Sequence, residues 1–143
     1  MKALFRAAAV LGISLMSVGA APNWLATVAK TDGGYVLGNP DAKVKLITFE
    51  SYTCPHCADF EKEAAAPLRI AYVQPGKVSL EGRHFVRDPV DLTAAMLTEC
   101  VAPGKFFNAH QAFFAKFDRI AQVMTRSTKA QQDRWYAKDK AAA

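Results

Sequence analysis

Cys54 and Cys57 bracket Pro55 and His56, and this four-residue segment carries most of the chain's chemical potential. Thiols at positions i and i+3 on the first turn of a helix can close a small disulfide ring. The first sulfur of such a pair faces backbone N–H groups that lack helical partners, and these favour a thiolate. The partial positive charge of the helix N-terminus works in the same direction, as does the imidazole of His56. Cysteines placed this way ionise at roughly 3.5–7.5, against about 8.5 for a free thiol. A stabilised thiolate also stabilises the reduced form, which makes the disulfide oxidising. The reading is that Cys54 is the exposed sulfur that meets a client, and Cys57, one turn inward, is the resolving partner. Pro55 and His56 complete the candidate site.

A Cys-x-x-Cys pair has two other uses, a structural staple and a metal site. A static staple is disfavoured because so small a ring constrains few residues of the unfolded chain. A zinc site needs four ligands, and beyond the pair only His56, His84, His110 and Cys100 are on offer, with no second paired cluster. No metal and no organic cofactor is expected.

The elements that must position the pair can be read from periodicity. Val44 to Phe49 is β-branched and aromatic, a central strand, and Glu50 to Thr53 turns the chain. A helix begins at Cys54 with Thr53 as N-cap and Pro55 in its first turn. Cys57, Phe60, Ala64, Leu68 and Ala71 form its buried stripe, Pro67 kinks it, and Gln74-Pro75-Gly76 ends it. Val78 to Val86 is a second strand with a bulge expected at Gly82. Strand, helix and strand in this order predict a parallel βαβ unit. Before it, Asn23 to Gly38 reads as a loose approach with a short strand at Tyr35 to Leu37.

After the βαβ unit the pattern is wholly helical. Asp91 is taken as N-cap of a helix over Leu92 to Val101, with Leu92, Met96 and Cys100 on its buried face; Cys100 then packs as a small core hydrophobe. Phe106, His110, Phe113 and Phe117 line a second helix, His110 as a hydrogen-bonded core residue. Thr128 and Gln131 form a capping box for a last helix running through Trp135 towards Ala143. His84 reads as a paired structural group.

The chain has 143 residues, enough for one domain, with 51% apolar and 22% charged residues. Its formal charge is +5, and removing Lys2 and Arg6 of the leader leaves 5 − 2 = +3. Basic residues are interleaved with acids, which argues against nucleic acid. Residues 1–21 follow the secretory template: a basic start, an apolar run from Ala7 to Val18, and small residues at Gly19, Ala20 and Ala21. The apolar run is short of the roughly 20 residues needed to span a bilayer. A cleavable signal peptide and a periplasmic address follow, and the mature domain is 22–143. An oxidising compartment lets a disulfide persist.

Phe49-Glu50-Ser51-Tyr52-Thr53-Cys54-Pro55-His56-Cys57, continuing Ala58-Asp59-Phe60-Glu61, resembles the active-site segment of the DsbA family of thioredoxin-fold disulfide oxidoreductases. Gly38-Asn39-Pro40-Asp41-Ala42, Arg83-His84-Phe85-Val86-Arg87-Asp88 and the stretch carrying Glu99-Cys100 resemble it too. The likeness runs from about Val36 to about Ala121. It implies a thioredoxin-like α/β fold with an inserted helical region over about 88–143. It also implies protein thiol–disulfide exchange, with newly exported or unfolded polypeptides as substrates and a membrane partner that restores the disulfide. The family pattern continues with a cis-proline loop, a hairpin and a final helix. This sequence has no proline after Pro103 and no strand-like run after Ile120, so the expectation is an incomplete, C-terminally truncated domain. Disulfide reduction or isomerisation, and non-catalytic binding of extended polypeptide, are the alternative functions.

Overall fold

A computed structural model describes residues 22–137; the signal peptide expected at 1–21 and the expected run of the last helix on to Ala143 fall outside the described residues. Among the described residues four strands form one mixed sheet in the order β1-β2-β4-β3. β1 (Val28–Lys30) pairs antiparallel with β2 (Tyr35–Gly38), and β2 pairs antiparallel with β4 (Val78–His84). β3 (Val44–Glu50) lies parallel to β4, which is the expected βαβ unit. The expected central strand is therefore at an edge: among the described residues β3 pairs with β4 alone, and Ile47 and Phe49 are exposed. The segment read as a loose approach is more ordered than its composition suggests. It holds a 3-10 turn at Trp24–Ala26 and the whole of β1.

The helical run after β3 starts with α1 (Pro55–Phe60) and passes through α2 (Ala66–Leu68). Wider π-type turns occupy Glu61–Ala65 and Arg69–Val73, flanking Pro67, which lacks the N–H that an α-turn would use. Each wide turn rotates the buried face, so the inward positions become Ala65, Arg69 and Val73 while Ala71 is exposed. Gly76, at φ +76°, ends the run as expected. β4 is unbroken through Gly82, which pairs with both Tyr35 and Thr48, so there is no bulge. A Cβ at Gly82 would stand 3.4 Å from Phe107 and 3.6 Å from Phe106, ordinary contact distances, so the packing there does not demand glycine.

α3 (Pro89–Glu99), α4 (Phe106–Phe114), α5 (Phe117–Arg126) and α6 (Lys129–Tyr136) follow, with the Thr128–Gln131 capping box in place. Asp88, not Asp91, caps α3: its Oδ1 accepts the Val90 and Asp91 N–H groups, both at 2.9 Å. The face of α3 carrying Leu92, Met96 and Cys100 turns outward, and Cys100 is exposed rather than core. Ala94, Ala95 and Thr98 face inward instead, because small side chains leave room for the Tyr52 and Phe114 rings. The main core gathers Tyr35, Leu37, Val73, Leu80, Phe106 and Phe107 on one face of the sheet, with Tyr35 stacked on Phe106 at 3.9 Å. No helix of the described residues is long and apolar enough to cross a membrane.

The turn into β2 has little tolerance. A Cβ at Gly34 would stand 2.1 Å from the carbonyl oxygen of Gly82. Gly34→Ala is expected to force β2 away from β4 and cost about 2–3 kcal/mol, read as a lowered urea midpoint with the slope unchanged.

Candidate active site

The segment leaving β3 is held by two aspartates of the α3 entrance. The Ser51 hydroxyl donates to Asp91 Oδ2 at 2.5 Å, and the Tyr52 N–H donates to Asp91 Oδ1 at 2.8 Å. Thr53 Oγ1 donates to Asp88 Oδ2 at 2.5 Å, so Thr53 ties the loop to α3 rather than capping α1. The capping position belongs to Cys54, whose backbone is extended at φ −94°, ψ 118°. Pro55 is the first helical residue, where its preset φ fits and its missing N–H has no role to lose. The next N–H groups, of His56 and Cys57, favour the thiolate of Cys54.

The two sulfurs differ electrostatically. Burial raises the Cys54 pKa, but hydrogen bonds from the Cys57 N–H, the Cys57 thiol and the His56 N–H, with the charge of Arg87, outweigh it and leave the value below the ordinary one. The His56 side chain is exposed, and this residue contributes through its backbone. Burial dominates at Cys57. Despite a hydrogen bond from the Ser51 backbone, that thiol is pushed up to about 11, with the neighbouring Cys54 and Glu50 adding to the rise. Both cysteines are half-buried and free. Beside them lies a shallow depression of about 280 Å³ lined by Thr48, Phe49, Glu50, His56, Cys57 and Phe60.

Beneath the pair is a buried polar cluster that sequence reasoning missed except for His110. Its ring nitrogen Nδ1 meets Tyr52 Oη at 2.8 Å, and that hydroxyl donates onward to Thr98 at 3.4 Å. On the other side, Nε2 stands 3.5 Å from Glu50 and 3.7 Å from Glu61. Burial lowers the His110 pKa, yet the two carboxylates more than reverse this and hold it above the usual value. Glu61 shows the mirror effect: burial raises it, while His110 and Arg69 bring it below the carboxylate range. Arg69 closes the cluster, donating from Nη2 to both Glu61 oxygens at 3.1 and 3.3 Å. Glu50, Glu61 and His110 each bring a ligand atom within 4.8 Å of the others, the set best placed to hold a metal. Neither cysteine belongs to it, and Arg69 with the imidazolium already balances the two carboxylates. His84 is a paired structural group near Thr98 and Glu99, its pKa lowered by burial.

Helical spacing holds part of the clue to this cluster, because Cys57 and Glu61 lie four residues apart on one face, whereas Arg69 reaches that face only through the wide turn that precedes it. For α3 the clue was Asp88 directly before Pro89, the stronger capping signal.

Comparison with known proteins agrees with this architecture. A family model described as Thioredoxin matches residues 30–143. A putative protein-disulfide oxidoreductase of Rickettsia bellii (strain RML369-C) is 35% identical over 65 residues, 46% of this chain and 25% of that protein. The crystal structure of a protein-disulfide isomerase from Novosphingobium aromaticivorans aligns with a TM-score of 0.69 at 49% identity, covering 71% of this chain and 52% of that one. A variant of alpha-DsbA1 from Wolbachia pipientis aligns at 0.58 and 27% identity, covering 78% and 63%. The chain thus spans about a quarter of the first relative's length and about half of the first solved chain. With a strand–Cys-x-x-Cys–helix–strand unit inside the matched region, the chain belongs to the thioredoxin family and shares the fold of its DsbA-like members.

Proposed function

We propose that this chain is a protein thiol–disulfide oxidoreductase that passes the Cys54–Cys57 disulfide to other polypeptides. The observation that carries the reading is the asymmetry of the pair: one sulfur at a helix start with N–H groups aimed at it, the other deeper and hard to ionise. A client thiolate attacks Cys54, and Cys57 departs as thiolate and takes up a proton. A second client thiolate then attacks the client sulfur of the mixed disulfide, expelling Cys54 as a stabilised thiolate. The client leaves oxidised and the pair leaves reduced. The leader-like residues 1–21 support export to the periplasm, with newly exported polypeptides as substrates and a membrane oxidoreductase to restore the disulfide.

The test is oxidation of a reduced, unfolded protein by the oxidised chain, followed by gel shift of alkylated thiols. The parent is expected to transfer one disulfide per molecule, and Cys54→Ala is expected to transfer none. Equal rates for the two would end this reading. The isomerase named among the similar structures motivates a second reading, disulfide rearrangement. A strongly reducing potential, with scrambled substrate rescued better than reduced substrate, would favour it.

A further inference from the structure

The α3 entrance holds a buried carboxylate that the exchange reaction does not consume. Asp91 is 1% exposed and accepts three hydrogen bonds, one each from the Ser51 hydroxyl, the Tyr52 N–H and the Arg87 N–H, the last at 3.0 Å. Two of these donors belong to the segment that delivers Cys54 to the tip of α1. The third belongs to the residue whose side-chain charge is felt at the Cys54 sulfur. One carboxylate therefore holds both the loop and the backbone of the residue that carries the nearby cation. Asp88 repeats the connection one turn earlier, receiving Thr53 Oγ1 while it caps α3.

We propose that Asp91 is a positioning residue for Cys54, a latch through which the helical insertion sets the redox poise of the pair. The inference rests on the exchange function proposed above and adds what tunes it. The latch acts through two arms. Held at Ser51 and Tyr52, the chain places Cys54 in its extended capping conformation, with the His56 and Cys57 N–H groups turned to the sulfur. Held at the Arg87 N–H, it fixes the point of the backbone from which that side chain's charge reaches Cys54. Of the other residues felt at the Cys54 sulfur, Cys57 and His56, neither donates a hydrogen bond to Asp91. Asparagine is the sharp substitution. It keeps the shape but replaces one acceptor oxygen with a donor, which then confronts the Tyr52 N–H or the Arg87 N–H, whereas the Ser51 hydroxyl can turn to Thr53 Oγ1 at 3.1 Å.

The experiment follows alkylation of Cys54 with iodoacetamide against pH in the fully reduced protein. It is paired with the equilibrium of the disulfide against glutathione. Asp91→Asn is expected to move the Cys54 titration upward, cutting its thiolate fraction near neutrality by about threefold or more, and to make the disulfide less oxidising by a similar factor. Arg87→Gln, which leaves the backbone bond to Asp91 intact, is expected to move both readouts the same way. In the Arg87→Gln background, Asp91→Asn should have a smaller effect than in the parent, because one arm is already gone. A folded Asp91→Asn protein whose titration and equilibrium match the parent would overturn the proposal, as would fully multiplicative single effects. Should Asp91→Asn fail to fold, Ser51→Ala and Arg87→Gln decide: an unmoved Cys54 titration in both overturns it. The titration reads the sulfur itself. A chain that oxidises no client would therefore end the exchange reading and leave this measurement intact, while an active chain with an unmoved titration would end the latch alone.

Discussion

Iodoacetamide added to the fully reduced protein near neutral pH is expected to label Cys54 at least about tenfold faster than Cys57. The factor follows from two opposing effects. At a pKa of about 11, roughly one Cys57 in ten thousand is thiolate near neutrality. Cys54 lies below its ordinary 9.0, so at least about one in a hundred is ionised, a hundredfold advantage or more. Thiolates of lower pKa are weaker nucleophiles, and with a Brønsted slope of about 0.4–0.5 a two-unit gap returns somewhat under tenfold to Cys57. Ionisation wins over intrinsic nucleophilicity. Peptide mapping after short labelling reads the ratio directly, with exposed Cys100 as an internal standard for an accessible thiol. Equal labelling of the pair would mean that the helix start does not distinguish its two sulfurs, and the direction of attack assigned to client thiols would fall.

What the amino acids disclose by themselves, and what they conceal, divides along physical lines. β3, β4 and the helix between them are legible because alternation and three-to-four spacing are strong signals, and the motif at Cys54 marks the junction. Val28–Lys30 is invisible because three residues carry no period, and its strand exists only through pairing with β2. The outward turn of Leu92 and Met96 contradicts the rule that apolar residues face inward. Here the inward side must be small to admit Tyr52 and Phe114, so Ala94, Ala95 and Thr98 take it.

The active site divides in the same way. The pair and its helix start are local, and both can be read from nine consecutive residues. The latch is not local: Asp91 lies 40 residues from Ser51, and an aspartate near a helix start reads more naturally as a cap. Glu50, Glu61 and Arg69 look like surface charges until His110 arrives from α4 to join the carboxylates. The wide turns on either side of Pro67 matter here too, since they bring Arg69 to the inward face. The residues nearest the sulfur chemistry are thus the legible ones, whereas those that support them come from distant parts of the chain.

Replacing Arg69 with alanine is expected to destabilise the fold by about 3–5 kcal/mol, the usual cost of breaking one side of a buried ion pair. The Arg69 and Glu61 side chains are 8% and 5% exposed, so water cannot take over the lost contact. Glu61 would keep only the long contact to His110, and two carboxylates would face one imidazolium. The same cluster predicts how stability depends on pH. Glu61 has a lowered folded pKa, so its contribution is present above the ordinary carboxylate value of 4.5 and fades as pH falls through the folded value. His110 has a raised folded pKa, so its contribution is complete below 6.5 and is lost as pH rises through the folded value. The cluster therefore stabilises most between those two limits, in mildly acidic solution. Urea unfolding of the parent at a series of pH values should show a midpoint that declines on the alkaline side. In His110→Phe, which fills the same space without a charge, that decline should be weaker. A cost below about 1 kcal/mol for Arg69→Ala would show that the cluster is solvated rather than buried. An alkaline decline identical in parent and His110→Phe would show that the imidazolium contributes nothing to it.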